Sequence, residues 1–126
     1  MDLQQGDKSV RNYKELLVWQ RAMELACEAY AVTGRLPKEE MYALGDQIRR
    51  SAISVPSNIA EGYGRNSTRD YVRFLSIARG SRYELEKQLL LCVRLGYIAE
   101  SDIERAIQLG TEVAKILNVM ITKLSQ

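Results

Sequence analysis

A proline inside an apolar repeat of helical spacing constrains the fold of this chain more than any other feature. Five apolar residues recur every three or four positions: Leu44, Ile48, Ala52, Val55 and Ile59. That spacing predicts one buried face of a helix. Pro56 lies within it, and because its ring lacks an amide hydrogen and crowds the carbonyl four residues earlier, we expect a kink near Ala52. We expect the helix to end where Gly62 and Gly64 can adopt positive φ.

Three further segments have the same helical periodicity, so the 126 residues predict a single all-α domain. The four helices are expected near residues 14–33, 39–61, 68–95 and 101–124. Ser67 or Thr68 is expected to cap the third helix, and Ser101 with Glu104 resembles a capping box for the fourth. Short loops favour an antiparallel, up-down-up-down, left-handed four-helix bundle over residues 13–126. Residues 1–12 are expected to form a disordered lead-in.

The apolar stripes of the first and fourth helices leave questions that the sequence does not decide. The first helix is expected to bury Leu16, Trp19, Met23, Ala26 and Tyr30. The fourth carries two apolar lines, one through Ile103, Ile107, Gly110, Ala114, Leu117, Ile121 and Leu124, the other through Ala106, Leu109, Val113, Ile116 and Met120. These lines serve either one wide core face or a core and a subunit contact. In the third helix, Gly80 marks either a close helix approach or a bend.

The composition argues against several classes of function. The chain contains no histidine, which removes the commonest general base and metal ligand. Cys27 and Cys92 are far apart and form no zinc-binding pair, so we expect two reduced core cysteines. The sequence has no membrane-length apolar run and no signal-peptide core. We therefore expect a cytoplasmic protein that is not an enzyme and holds no metal or cofactor.

Basic residues concentrate in the middle of the chain. Residues 49–94 contain nine basic and four acidic side chains, a net charge of +5 in a protein of net charge +2. Arginine suits phosphate because its planar fork donates two parallel hydrogen bonds, and tyrosine can stack on unpaired bases. The candidate nucleic-acid-binding residues are Arg49, Arg50, Tyr63, Arg65, Arg69 and Arg73. The alternative is a solvated surface with ordinary ion pairs to nearby carboxylates.

A second group of residues is expected to build the corner between the second and third helices: Pro56, Asn58, Glu61, Gly62 and Gly64. Glu61 stands where a negative charge opposes the helix dipole, so we expect Arg65 or Arg69 to pair with it. Serines around Pro56 are expected either to bind the carbonyl that the proline frees or to let another helix come close.

Three blocks of the sequence resemble the 23S rRNA intervening-sequence proteins, also called the S23 or four-helix-bundle family. They are YKELLVWQRAMELA at 13–26, LPKEEMYALGDQIRRSAISVPSNIAEGYGR at 36–65 and YVRFLSIARGSRYELEKQL at 71–89. The resemblance implies an antiparallel four-helix bundle that assembles as a ring-like homopentamer. It also implies a fold similar to the accessory protein of diversity-generating retroelements, a basic pentamer that binds nucleic acid and a reverse transcriptase.

Two functions therefore compete. In the first, the protein is a non-enzymatic oligomer that binds structured RNA or DNA through its arginines, with a nucleic-acid-processing protein as a further partner. In the second, it is a protein-interaction scaffold whose arginines are structural. The resemblance defines no catalytic residue, so none is assigned.

Overall fold

The computed structural model describes residues 12–126, and within them the chain is all-helical, as predicted. Four long helices follow one another: α1 (Leu17–Thr33), α2 (Leu44–Tyr63), α3 (Thr68–Arg94) and α4 (Glu100–Leu124). Short 3-10 helices cover Tyr13–Glu15 and Lys38–Glu40, and this part of the chain has no strand. Apart from Asn12, the lead-in predicted at residues 1–12 lies outside the described residues.

Each long helix packs against two others, which is consistent with a four-helix bundle. α1 contacts α2 and α4, and α3 contacts the same two helices. The core consists of two apolar clusters. One contains Leu25, Ile48, Leu85 and Leu109. The other contains Leu16, Ile59, Leu75 and Leu117.

The ends of α3 follow the sequence, whereas the start of α4 does not. The Ser67 hydroxyl accepts a hydrogen bond from the Asp70 amide at 3.1 Å, so Ser67 is the predicted cap. Gly96 follows the last turn of α3 with φ of +79°. The predicted Ser101–Glu104 capping box is wrong, because α4 begins earlier, after Ala99. There the Asp102 carboxylate accepts a hydrogen bond from the Ala99 amide at 2.9 Å.

α2 continues through its proline and ends differently from the prediction. It begins at Leu44 rather than near residue 39, since residues 38–40 form a 3-10 helix. Pro56 lies inside the helix and is buried. The expected positive φ at the corner is wrong: Gly64 has φ of −82°, and Gly62 lies within the helix. The corner requires glycine for space rather than for backbone conformation.

The buried face of α1 differs from the predicted stripe. Leu16 and Ala26 are buried as expected, but Met23 and Tyr30 are 41% and 43% exposed. The core contacts of α1 come largely from smaller side chains: Val18, Ala22, Ala29 and Val32, together with Leu25. A close helix approach selects small residues, and it leaves the bulky ones at the rim.

Both apolar lines of α4 turn toward the same core. Most of their residues are buried, and the remainder are half-buried. The single wide face is therefore the alternative that the structure supports. At Gly80 the close-approach alternative is wrong within the described chain, because an added Cβ would meet nothing within 4 Å.

Candidate nucleic-acid interface

Two of the predicted arginines, Arg65 and Arg73, meet over one ring where α2 turns into α3, and Arg69 lies one turn before Arg73. We call Arg65, Arg69, Arg73 and the Phe74 ring between them the arginine corner. The guanidinium carbons of Arg65 and Arg73 lie 4.7 and 4.5 Å from the centroid of the Phe74 ring. Cations at this distance are attracted by the face of an aromatic ring. The ring thus holds two positive charges close together at the surface.

The ion pairs of the arginine corner are exposed. Arg65 Nη2 lies 2.6 Å from Glu61 Oε2, which is one of the two pairings that the sequence predicted. Arg73 Nε lies 3.8 Å from Asp70 Oδ1. Exposed pairs of this kind contribute about 0 to 1 kcal/mol, so a phosphate can compete with either carboxylate.

Arg69 is the least engaged cation of the corner. Its side chain is exposed, and within residues 12–126 it has no hydrogen bond or ion pair. It lies in the first turn of α3, where the partial positive charge of the helix dipole adds to its own. Its charge is therefore directed at solvent or at a ligand.

Gly62 brings the two helices of the corner together. A Cβ added at Gly62 would lie 2.9 Å from the Phe74 Cβ and 3.0 Å from Tyr71 Cδ1, closer than side chains tolerate. At Gly64 the nearest atom would be 3.7 Å away. The corner therefore leaves no room for a side chain at Gly62, since any larger residue would push α3 and the Phe74 ring away from α2.

The two tyrosines of the corner differ in exposure. Tyr71 is 9% exposed, and its ring meets the half-buried Tyr63 ring edge to face, with centroids 6.2 Å apart. The Tyr71 hydroxyl is buried without a hydrogen-bond partner among the described residues. Burial, with a smaller contribution from Tyr63, raises the pKa of Tyr71 well above its ordinary value. Tyr71 therefore offers no free face to an unpaired base.

Arg49 and Arg50 are not part of the arginine corner. The rise of 1.5 Å per residue along α2 puts them about 20 Å from its end. Arg49 donates a hydrogen bond to the Met41 carbonyl at 2.8 Å and to Asp46 at 2.5 Å, and its side chain is 23% exposed. It thereby ties the segment before α2 to the first turns of the helix. Arg50 is exposed, with no hydrogen bond or ion pair within the described residues.

The polar residues around Pro56 connect α2 to α3. The Ser54 and Ser81 hydroxyl oxygens lie 2.7 Å apart, and Ser51 Oγ lies 2.6 Å from Gln88 Oε1. Asn58 donates to the Ser54 carbonyl at 2.8 Å. Of the two roles expected for the serines, these contacts support the close approach of a neighbouring helix.

The sequence did not predict that a charged residue lies inside the bundle. Arg82 is 9% exposed, and its Cδ would lie 3.3 Å from a Cβ at Gly110. Its Nη1 donates to Glu86 at 2.8 Å, its guanidinium lies over the Tyr83 ring, and its Nε has no partner in the described chain. Gly110, in one of the apolar lines of α4, was the available sequence signal, because it makes room for the Arg82 side chain.

Both cysteines are free thiols, but only one is in the core. Cys92 is buried, and burial raises the pKa of its thiol. Cys27 is exposed, so its prediction as a core residue is wrong. It follows Met23 by one turn on the side of α1 that the bundle leaves open.

Across residues 12–126, no three acidic or cysteine side chains form a group suited to a metal ion. In the same range, no helix has both the length and the apolar character needed to cross a bilayer.

Comparison with known proteins supports the resemblance stated above. A model of the 23S rRNA-intervening sequence protein family matches residues 14–119. The chain is also similar to the crystal structure of a protein of unknown function from the S23 ribosomal protein family of Bacteroides thetaiotaomicron. The two are 28% identical, with a TM-score of 0.77 over 83% of this chain and 98% of that one. No curated protein matches the sequence.

Proposed function

Because the chain belongs to the family of 23S rRNA-intervening sequence proteins, we propose that it is a non-enzymatic oligomer that binds structured RNA or DNA through the arginine corner. The observation that carries this proposal is the state of the corner cations. Arg65 and Arg73 are stacked on Phe74 with exposed, weakly paired guanidinium groups, and Arg69 is unpaired within the described chain. Such groups can bind phosphate without first breaking a contact that stabilises the fold.

Assembly belongs to the same proposal. A homopentamer would bring five arginine corners to one ligand, so that individually weak phosphate contacts act together. The open side of α1 and α2 supports a subunit contact. Met23 and Ile53 are 41% and 47% exposed and line, with Trp19 and Pro56, a groove of about 350 Å³. Sedimentation equilibrium should give the mass of five chains, and a monomer at micromolar concentration would contradict the pentamer.

The topology proposed for the bundle is up-down-up-down with a left-handed twist and a kink at Pro56. The contacts between α2 and α3 support the antiparallel order of that pair. Ser51 meets Gln88, Ser54 meets Ser81 and Gly62 meets Phe74, so numbers rise along α2 as they fall along α3. We place the protein in the cytoplasm, with a nucleic-acid-processing protein as its further partner.

The test is binding of the purified, sized protein to structured RNA and duplex DNA across a salt series. We expect affinity to fall steeply as salt rises, because bound phosphates release counterions. The double variant Arg69→Gln/Arg73→Gln should weaken binding and reduce the slope by about 0.9 for each duplex phosphate that it no longer neutralises. The matched control is Lys115→Gln/Lys123→Gln, which removes the same charge from exposed positions of α4. If the two double variants weakened binding equally, the result would contradict a binding site at the arginine corner.

The second candidate function is a protein-interaction scaffold with structural arginines. It is favoured by the ion pairs that three of the arginines make with Asp46, Glu61 and Asp70. It predicts no measurable binding to nucleic acid even at low salt. That result, obtained with protein of the correct oligomeric mass, would reject the first proposal in favour of the scaffold.

A further inference from the structure

A polar groove of about 380 Å³ lies between α2 and α3, at the end of these helices far from the arginine corner. We call the surface between the two helices, from this groove to the corner, the α2–α3 seam. The groove is lined by Gln47, Arg50, Ser54, Ser81, Glu84 and Gln88. The proposed function does not yet use this groove.

Helical spacing connects the seam to the arginine corner. On α2, residues 50, 54, 58 and 61 recur every three or four positions and therefore share one face, and Arg65 follows just after the end of the helix. On α3, residues 74, 77, 81, 84 and 88 do the same. The Ser54–Ser81 contact and the approach of Gly62 to Phe74 fix these two faces against each other. One continuous strip thus leads from Arg65 and Phe74 at the corner to Arg50 and Gln88 at the other end.

The charges of the strip are concentrated toward its two ends. Arg65 and Arg73 mark one end, and the exposed Arg50 marks the other, about 20 Å away along α2. Short hydroxyl and amide side chains lie in the middle, among them Ser54, Ser81 and Asn58, together with the exposed Ile77. Glu84 lies beside Arg50 in the groove and is exposed. It therefore opposes any bound anion at that end.

We propose that an RNA duplex lies along the α2–α3 seam, with its phosphates bound by Arg50 at one end and by the arginine corner at the other. This inference rests on the proposed function and extends its site by one cation and a row of polar groups. Each strand of a DNA duplex carries one phosphate per about 3.4 Å of helix axis, so 20 Å corresponds to about six steps, and an A-form RNA duplex, which rises less per step, needs slightly more. A single duplex can therefore reach both ends of the strip at once.

The side chains between the arginines favour a duplex over a single strand. Proteins that hold single strands present aromatic faces on which bases stack. Along the strip the only aromatic ring is Phe74, and two guanidinium groups lie over it. Hydroxyl and amide groups instead match the shallow minor groove of an RNA helix, where the 2′-hydroxyl both donates and accepts hydrogen bonds. These groups favour RNA over DNA.

The experiment compares single variants on an RNA duplex of about 12 base pairs, long enough to span the strip. Arg50→Gln should weaken binding roughly eightfold near 0.1 M salt, since one released counterion scales affinity with salt to the power of about −0.9. Glu84→Gln should strengthen binding, because it removes the opposing charge. Lys115→Gln on α4 is the control. The wild-type protein should also bind the RNA duplex more tightly than a DNA duplex or a single strand of the same sequence.

The outcomes separate this inference from the proposed function. If Arg50→Gln and Glu84→Gln both bind like wild type while Arg69→Gln/Arg73→Gln binds weakly, the seam is rejected and the corner alone remains. Tighter binding of the single strand, or equal binding of the DNA duplex, overturns the RNA duplex as occupant. If the wild-type protein binds neither the RNA duplex, the DNA duplex nor the single strand at low salt, both proposals are rejected. All three variants change exposed side chains, so a folding defect is not expected to obscure the result.

Discussion

At the start of α2, the Arg49 guanidinium turns back toward the chain and donates to the Met41 carbonyl and to Asp46. About 20 Å further along the helix, Arg65 and Arg73 lie on the outside of a phenylalanine ring and pair only with exposed carboxylates. The difference lies in the acceptors within reach. The Met41 carbonyl, just after the 3-10 helix, accepts a hydrogen bond from Arg49. At the corner, Gly62 lets α2 and α3 pack closely, and Arg65 and Arg73 remain at the surface. Sequence position alone does not separate a structural arginine from an available one.

The largest expected effect concerns how the corner is held together. Gly62→Ala should lower the free energy of unfolding by about 3 kcal/mol, the upper end of typical overpacking, because the new methyl would collide with Phe74 and Tyr71. Gly64→Ala is the control, since its nearest atom would be 3.7 Å away. Urea unfolding measures both. Equal stability of the two variants would mean that the arginine contacts, rather than helix packing, close the corner.

The next prediction addresses the other region. Arg49→Ala should lower the free energy of unfolding by about 1.5 to 2 kcal/mol, because it removes charged hydrogen bonds to a carbonyl and a carboxylate. Arg50→Ala, one position along, should change stability by less than about 0.5 kcal/mol. Arg49→Ala should also leave the salt dependence of RNA binding unchanged. If Arg49→Ala reduced that dependence as Arg69→Gln/Arg73→Gln does, the contrast between the two regions would disappear.

The buried tyrosine of the corner predicts a loss of stability at alkaline pH. Burial raises the pKa of Tyr71, so above pH 10 the unfolded chain releases this proton while the folded chain keeps it. The folded state then binds more protons, and stability falls by about 1.4 kcal/mol per pH unit from this group. The stabilising contribution is complete below pH 10 and is lost as pH rises toward the folded-state pKa.

The variant Tyr71→Phe isolates that contribution. Its free energy of unfolding should fall less steeply than that of the wild type between pH 10 and 11. At neutral pH it should be unchanged or slightly raised, because the variant removes a buried hydroxyl that has no partner among the described residues. Tyr42→Phe, at an 81% exposed side chain, should keep the wild-type slope. Matching slopes for Tyr71→Phe and the wild type would show that this hydroxyl is accessible to water.

The sequence predicted what depends on local spacing and missed what depends on the neighbouring helix. The α2 repeat and the Ser67 cap were legible because each involves residues a few positions apart. The burial of Arg82 could not be predicted in this way, since it depends on Gly110 of α4, which is 28 positions away. The apolar stripe predicted for α1 was partly wrong for a similar reason. It was drawn through bulky residues such as Met23, whereas the core selected the small side chains that allow close packing.

The candidate site shows the same division. The Glu61–Arg65 pair was one of two predicted pairings, because a carboxylate near the end of a helix opposes the helix dipole and favours a nearby cation. The sequence grouped Arg49 and Arg50 with the other candidate arginines, yet a continuous helix carries them about 20 Å from the corner. The stacking of two arginines on Phe74 was not predicted, because it depends on the path of the loop between α2 and α3.

The smallest expected change in stability tests the comparison most directly, because it concerns the counterpart of Arg49 at the corner. Arg65→Gln should lower the free energy of unfolding by no more than about 0.5 kcal/mol, since its pair with Glu61 is exposed. Its affinity for the RNA duplex should nevertheless fall. Glu61→Gln breaks the same pair at a similar small cost but removes the carboxylate that competes with phosphate, so its affinity should rise. Opposite changes in affinity with matching stability would identify Arg65 as an available arginine. A large loss of stability in Arg65→Gln would instead make it structural, as Arg49 is.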